Sequence, residues 1–556
     1  MVIVPDSNII LLDCPLKLDD RNQITFDSIT AQYNYFSSLP KLQNEDATYQ
    51  RKDGVIRFPT HTEINDELPT FEDLLKYDYC MYQNNSYDNK WFYAYITNIK
   101  YINDGMSEIS IETDTYQTWQ FDLVFKDSFI EREHVADDSV GLHTIPEGLA
   151  TGDYISCDLQ PSFNVDLETC FVISASELLT GVSGYSTLNQ KIPMGLYYIG
   201  VENDVDVEQY IKAYDKAGKG DAINSIFVAP SGFFSSWQSN QSVTVDGTTF
   251  SFSGKISYNV TFEVTQTTQI TKVNYLADQY YPKNNKLLVY PYSFLQVSNH
   301  NGTVVNYRWE EFNQLLGGSN YEFMLRGTIS PGCSFSCYPI DYKNILNNFD
   351  EAITLGKYPI GSWTSDVYTN WLTQNGVNIL GHQFTATEAR IGSSALLGAS
   401  GLIDVAKGAK TGNNDLIAES VSDVSSGVIG IYNAIQDDYR HSLIPDQALG
   451  NTNVGDYSFQ FGLTNLEFKR ISIKREYATI LDNFFSAYGY KVNRFGLPQI
   501  SSRSNWNYIK TNDINLLGEI PDVDRKKLES IFNKGCTFWH TTTYFLDYNR
   551  TNSIVS

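Results

Sequence analysis

The densest grouping of titratable side chains lies in the run FIEREHV, where Glu131, Glu133 and His134 fall within four residues. A carboxylate beside an imidazole is a pairing used for proton transfer. Extended backbone, however, turns Glu131 and Glu133 to one face and His134 to the other, which favours a structural role. Cys333 and Cys337 make a single Cys-x-x-x-Cys in PGCSFSC. A structural zinc needs four ligands and no second pair stands nearby, so two small buried side chains are expected. Glu112, Asp114 and Asp122 lie near apparent strands, where acidic groups are ordinarily solvated. A glycosidase would need two of them to face each other. The chain has no nucleophile elbow, phosphate-binding loop, zinc-protease motif or dinucleotide fingerprint. No metal, no cofactor and no enzyme activity is expected. Lys469, Arg470, Lys474 and Arg475, in FKRISIKREY, are the candidates for a DNA-facing basic surface; an exposed edge rich in lysine and arginine is the favoured alternative.

The elements that must carry these residues read mainly as strands. Trp91 opens WFYAYITNIKYI, which turns at Asn103-Asp104-Gly105 into MSEISIET. Alternation on both sides of an Asp-Gly turn marks a hairpin. SVTV turns at Asp246-Gly247 into TTFSFS, then at Gly254 into KISYNVTFEV, a three-stranded meander. KLLVYPYSFLQV and TVVNYRW join at Asn301-Gly302. Helices are expected where apolar spacing changes to three and four. The first has Val207, Tyr210, Ile211 and Tyr214 behind an Asp206 cap, with Gly218 at its end. The second has Tyr477, Ile480, Leu481, Phe484, Phe485 and Tyr488 before Gly489. The third has Leu528, Ile531 and Phe532 between Asp522 and Gly535. Part of 346–385 also has helical spacing, at Val367, Trp371 and Leu372. TFWHTTTYFL reads as a closing strand.

Composition agrees with a mainly β, multidomain protein. The 556 residues correspond to about three to five domains, and 42% apolar content provides for large cores. Aromatics reach 14%, led by 38 Tyr and 31 Phe, residues that suit a pleated, half-buried surface. The seven cysteines are sparse and scattered, unlike a disulfide framework, and fit folding in a reducing cytosol. The N-terminal run carries Asp6 and no basic stretch, which does not read as a signal peptide. The formal charge is −25, which opposes nucleic-acid binding over most of the surface. Residues 451–556 differ, with 13 Lys+Arg against 10 Asp+Glu.

Residues 386–436 stand apart. IGSSALLGASGLI and VSSGVIGIYNAI are uncharged and rich in Gly, Ala and Ser. Among their apolar residues, with one from the run between them, Leu396, Leu397, Leu402, Ile403, Val405, Val428, Ile429 and Ile431 are the candidates for a membrane-active surface. Small residues with scattered aliphatics do not build a dense core, and neither run reaches bilayer-spanning length. Ordinary packing or a flexible loop is the favoured reading of the residues; a membrane-active segment is the alternative.

Several blocks resemble the tail-knob, or distal tail tube, proteins of small short-tailed bacteriophages with protein-primed replication that infect Gram-positive bacteria. They are QNNSYDNKWFYAYITNIKY at 83–101, IETDTYQTWQFDLVFKDSFIEREHV at 111–135 with HTIPEGL at 143–149, and KLLVYPYSFLQV at 286–297. FFSAYGYKVNRFGLPQI, RSNWNYIKT and GEIPDVDRKKLESIFNKGCTFWH complete the set. They cover under half of the chain. The resemblance implies tail-tube-type β-barrel or sandwich domains closing into a homohexameric ring, a virion tail-tip location after synthesis in the host cytoplasm, and other phage tail proteins as partners. It also implies passage of double-stranded DNA and a Gly/Ala-rich hydrophobic loop that plugs the channel and helps penetrate the host envelope or membrane. By position that loop is about 386–450. The expected division is a tube domain at 1–150, an inserted outer β-rich domain at 151–285, a lower β domain with a helix at 286–385, the loop, and the rest of the tube domain at 451–556. A receptor-binding adhesin, centred on 151–285, is the second reading. A cell-wall hydrolase is the third.

Overall fold

The computed structural model describes residues 7–47, 54–61, 69–84, 88–159, 169–177, 179, 197–234, 241–252, 263–312, 320–330, 332–355, 357–364, 449–453 and 466–555. Strands predominate, and the chain forms two compact units. Unit 1 comprises Met1–Tyr154, Gln279–Tyr292 and Ile473–Ser556; unit 2 comprises Ile155–Asp278 and Ser293–Ser472.

Unit 1 is built on a six-stranded sheet in the order Lys41–Ala47, Ser7–Leu12, Tyr79–Asn84, Lys90–Asn103, Met106–Thr113, Val55–Pro59. The expected hairpin forms its centre, with Ile99 opposite Ile109 and Tyr101 opposite Ser107. Asn103 Oδ1 accepts from the Gly105 amide at 3.0 Å and tightens the turn. Both faces are covered, which is why these strands carry apolar residues at successive positions. Ile9, Leu11, Tyr82, Phe92 and Ala94 pack with Ile509, Phe532 and Phe538 on one side. Ile10, Leu12, Tyr79, Met81, Tyr93 and Tyr95 pack with Phe36 on the other. Phe36 belongs to the helix Ile29–Ser38, capped by Ser28; the reading of 1–150 as strands misses it.

A second, five-stranded sheet runs Asn22–Ile24, Cys536–Trp539, Trp506–Asp513, Ser128–Glu133, Tyr490–Gly496. The helices Arg475–Tyr488 and Asp522–Lys534 end at Gly489 and Gly535, as expected. The buried stripe of the first is Ala478, Leu481, Asp482 and Phe485, whereas Ile480 and Tyr488 are exposed. The closing strand stops at Trp539.

Unit 2 has one continuous apolar core. It joins a five-stranded sheet (Tyr197–Val201, Thr169–Ala175, Ile223–Pro230, Ile360–Thr364, Leu449–Asn453), a sheet centred on Asn320–Thr328 and Phe335–Tyr342, and a four-stranded sheet. The last runs Tyr154–Leu159, Glu467–Ile473, Ser293–Ser298, Val304–Tyr307. The helix Asp204–Lys216 buries Val207, Tyr210 and Tyr214 as expected, but its cap is Asn203, whose side chain accepts from the Asp206 amide at 2.9 Å. The Asp246-Gly247 hairpin forms with both residues at positive φ, the geometry a two-residue turn demands. Most of the third strand of the meander, 255–262, lies outside the described residues. Glu263–Thr271 pairs with Asn320–Thr328 over nine positions. The Asn301-Gly302 hairpin forms as read. Gly254, the helical spacing at 367–372 and the eight residues from Leu396 to Ile431 lie outside the described residues.

Candidate functional site

The blocks at 129–135, 143–149, 286–292 and 484–511 converge in unit 1 on a buried polar junction. The strand Ser128–Glu133 supplies Arg132 and Glu133, and the following loop supplies His134, Asp138 and Glu147. Register shifts on both sides of Ser128–Glu133 break its simple alternation. As a result Glu133 is buried, while Glu131 stays half-buried and pairs with Lys510 at 2.7 Å.

Glu147 is the hub. Its side chain has no exposed surface and pairs with Arg132 and, at 3.3 Å, with Lys286. It also accepts from the Lys491 amide at 3.0 Å. Lys286 Nζ donates to the Ile145 carbonyl at 2.7 Å, and Arg132 Nη1 to the Gly489 carbonyl at 2.8 Å. Burial pulls the Lys286 ammonium below its ordinary pKa, and Glu147 opposes that shift. Glu133 pairs with Arg494 at 2.5 Å and accepts from the Gln499 amide at 3.2 Å. Asp138 accepts from the Asn285 amide at 3.0 Å and from the Tyr490 hydroxyl at 2.7 Å; burial raises its pKa against both bonds. Asp482, fully buried, accepts from the Tyr280 hydroxyl (2.8 Å) and the Lys283 (2.8 Å) and Asn284 (3.0 Å) amides. Each of these carboxylates is answered by donors, which rigidifies a polar core.

His134 is part of the same lock. Its Nδ1 accepts from the Tyr508 amide at 2.7 Å, so Nε2 carries the proton and donates to the Ser486 carbonyl at 3.1 Å. Burial pushes its pKa down to about 3, helped by the Arg503 charge. With both nitrogens committed, the ring has no free site for proton transfer. The sign of its pH dependence follows. The unfolded imidazole gains a proton below about pH 6.5 and the folded one does not until about pH 3. Its contribution to stability is therefore complete above 6.5 and is lost as pH falls. In urea unfolding between about pH 4.5 and 6.5, the wild type is expected to lose stability more steeply than His134→Gln, by up to about 1.4 kcal/mol per pH unit. Parallel slopes for the two proteins would refute this role.

The other sequence candidates have structural assignments. Asp114 is buried, not solvated. It caps the helix Thr115–Trp119 through the Gln117 amide at 3.0 Å and accepts from Tyr79 at 3.0 Å. Glu112 pairs with Lys527 and Asp122 with Lys90. Cys333 and Cys337 are buried and outside any disulfide, as is every other cysteine except Cys157, which is exposed and likewise not disulfide-bonded. Among the described residues, no group of His, Cys, Asp or Glu is placed to hold a metal, and no helix is long and apolar enough to cross a membrane.

The four basic candidates do not form one surface. On the strand Glu467–Ile473, alternation turns Lys469 and Arg470 to opposite faces. Lys469 pairs with Glu467 at 2.7 Å, while Arg470 is buried, only 5% exposed. Lys474 pairs with Asp153 at 2.8 Å and Arg475 is exposed at a helix start. Sequence reasoning missed Glu147, Lys286, Asp138 and Asp482. For Asp482 a signal existed: it stands at helical spacing from Ala478, Leu481 and Phe485, on the apolar stripe itself. The others have partners too distant in sequence to be read.

The chain is similar to known proteins over its whole length. Residues 257–553 match the family model of the C-terminal domain of tail knob protein gp9 of Bacillus phage phi29. Residues 6–124 match a model of the N-terminus of the caudoviral major tail protein. The chain is 24% identical to tail knob protein gp9 of Bacillus phage B103 over 98% of each chain. It is 26% identical to that of phage phi29 over 96% of each. The solved tail knob protein gp12 of bacteriophage C1 shares the fold with a TM-score of 0.61, covering 99% of this chain and 100% of that one at 14% identity. With more than half of its length matched by the gp9 model and near-complete alignment to the curated relatives, the chain belongs to the phage tail knob proteins, structural components of the virion tail.

Proposed function

We propose that six copies of this chain close into a ring at the distal end of the tail and form the conduit through which double-stranded DNA leaves the virion, without catalytic chemistry of their own. The observation that carries this reading is the full-length likeness to tail knob proteins together with the match of residues 6–124 to a major tail protein. Charge supports it. Each copy contributes −25, and an acidic wall repels phosphate, so DNA slides without sticking. Closure into a ring also removes exposed sheet edges. Other tail proteins would be neighbours of the ring, and the host envelope its target.

In the same reading, the stretch 386–450 plugs the channel before ejection and then acts on the host membrane. Leu396, Leu397, Leu402, Ile403, Val405, Val428, Ile429 and Ile431 supply its apolar surface. Since neither uncharged run spans a bilayer, several copies would act together.

Negative-stain images of the purified full chain are expected to show six-fold rings with a bore at least as wide as a DNA duplex. Deletion of 391–435 is expected to open the bore and abolish leakage of dye from liposomes. A particle that stays solid along its axis after that deletion would end the conduit reading. Unchanged leakage would end the role of the loop.

A further inference from the structure

Arg470 sits on the strand Glu467–Ile473 of unit 2 with 5% of its surface exposed. Its guanidinium lies over the rings of Tyr275 and Trp309, 5.4 and 5.3 Å from their centroids. Nη1 donates to the Tyr275 carbonyl at 3.2 Å, and Nε is buried with no acceptor. The ionisable groups facing it are Tyr275, Tyr321 and Cys157, none of them a carboxylate. Lys286, the other lysine or arginine buried to this degree among the described residues, has Glu147. A cation removed from water without a counter-charge is destabilising, so Arg470 departs from the rule that the unit 1 junction obeys.

The strand hydrogen-bonded beside it is also anomalous. Tyr154–Leu159 is the edge of the four-stranded sheet, and its residues 155–158 are all exposed. Neither face is covered, although the strand carries Ile155. A strand with two wet faces and, among the described residues, no partner on its outer edge gains little from folding unless something packs on it.

We propose that Arg470 and the adjoining strand form a contact surface for a second copy of this chain, which supplies a carboxylate to the guanidinium on assembly. Charge complementarity selects this occupant. The chain holds 65 Asp+Glu against 40 Lys+Arg, so a neighbouring copy presents acidic side chains in excess to a site that lacks one. Tyr275 and Trp309 hold the guanidinium against their rings, and arginine is the cation suited to pairing with a carboxylate in a poorly solvated site. DNA phosphate is the poorer candidate, since a passing duplex meets the protein only briefly and a buried charge needs its counter-ion in the standing structure. The inference rests on the ring of identical subunits proposed above.

The test is sedimentation velocity on the full chain as wild type, Arg470→Met and Arg470→Lys, with maleimide labelling of Cys157, the exposed thiol beside Arg470, in each fraction. Monomeric Arg470→Met is expected to melt no lower than wild type, because the charge it removes lacks a partner, while its self-association weakens by about tenfold or more. Arg470→Lys keeps the charge, loses the fork and falls between. Cys157 labels in the monomer and is protected in wild-type assemblies. If Arg470→Met assembles with wild-type strength, or Cys157 labels equally fast in both states, the contact is overturned and a ring still stands. A lower melting point of monomeric Arg470→Met also overturns it, since the charge would then be answered within one copy. An oligomer that depends on Arg470 but lacks six-fold symmetry keeps the contact and ends the six-fold reading. A chain monomeric at every concentration ends both.

Discussion

Glu147→Ala is expected to lower the unfolding free energy of the chain by about 3–5 kcal/mol, as removal of one member of a buried ion cluster does. The carboxylate is fully buried and holds Arg132, Lys286 and the Lys491 amide together. Without it, Lys286 keeps the Ile145 carbonyl and Arg132 keeps the Gly489 carbonyl, but two cations remain near each other in a poorly solvated core. Most of the loss is the stranded charge rather than the attraction removed. The double variant Glu147→Ala, Lys286→Met should therefore regain part of the stability, and urea unfolding of the four proteins of this cycle measures how much. A single variant within about 1 kcal/mol of wild type would mean that the cluster is solvated and contributes as weakly as a surface pair.

Gly489→Ala should be nearly as damaging, for a different reason. The residue ends the helix Arg475–Tyr488 at φ +64 and ψ −155, a positive-φ region essentially reserved for glycine, where a Cβ costs roughly 1–3 kcal/mol. An added Cβ would also lie 2.1 Å from the Glu133 carbonyl oxygen, a backbone atom that cannot move without shifting the strand that carries Arg132 and Glu133. The combined loss is expected to be about 3 kcal/mol or more. Gly218→Ala is the control, since Gly218 also has positive φ. Gly218 has φ +65 with nothing within 4 Å of the added carbon, so it should show the backbone strain alone, about 1 kcal/mol. Equal losses at the two glycines, by thermal or urea unfolding, would remove the close approach to Glu133 from the account.

Both predictions concern positions whose importance is spatial. Gly489 was legible as a helix end because its cue lies in the preceding turn. Glu147 was not legible, because its partners Lys286 and Lys491 stand 139 and 344 residues further along the chain. The same contrast runs through the fold. The Asp104-Gly105 and Asp246-Gly247 hairpins and the helices ending at Gly489 and Gly535 were readable, since turn chemistry and apolar period act over a few residues. The Asn203 cap was misplaced by three positions, since Asp206 is itself a good cap type and only the backbone geometry shows which side chain accepts. The pairing of Glu263–Thr271 with Asn320–Thr328 was not readable, because a strand does not name its neighbour.

By itself the sequence determined the mainly β character, the acidic excess, the turn positions and a set of blocks shared with the tail knob proteins. These follow from composition and from short-range interactions that survive in any context. Tertiary structure alone decided which ionisable groups are buried and how they are answered. Glu131, Glu133 and His134 stand together in the sequence, with the two carboxylates expected on one face; a register shift and the Tyr508 and Ser486 backbone separate them into a half-buried pair, a buried carboxylate and a neutral ring. Lys469 and Arg470 looked like one basic surface; the alternation of a single strand paired the first with Glu467 on one face and left the second in an aromatic slot on the other. The physical reason is the same throughout: charge is written in the chain, but its energy depends on solvent access and on partners that only folding brings near.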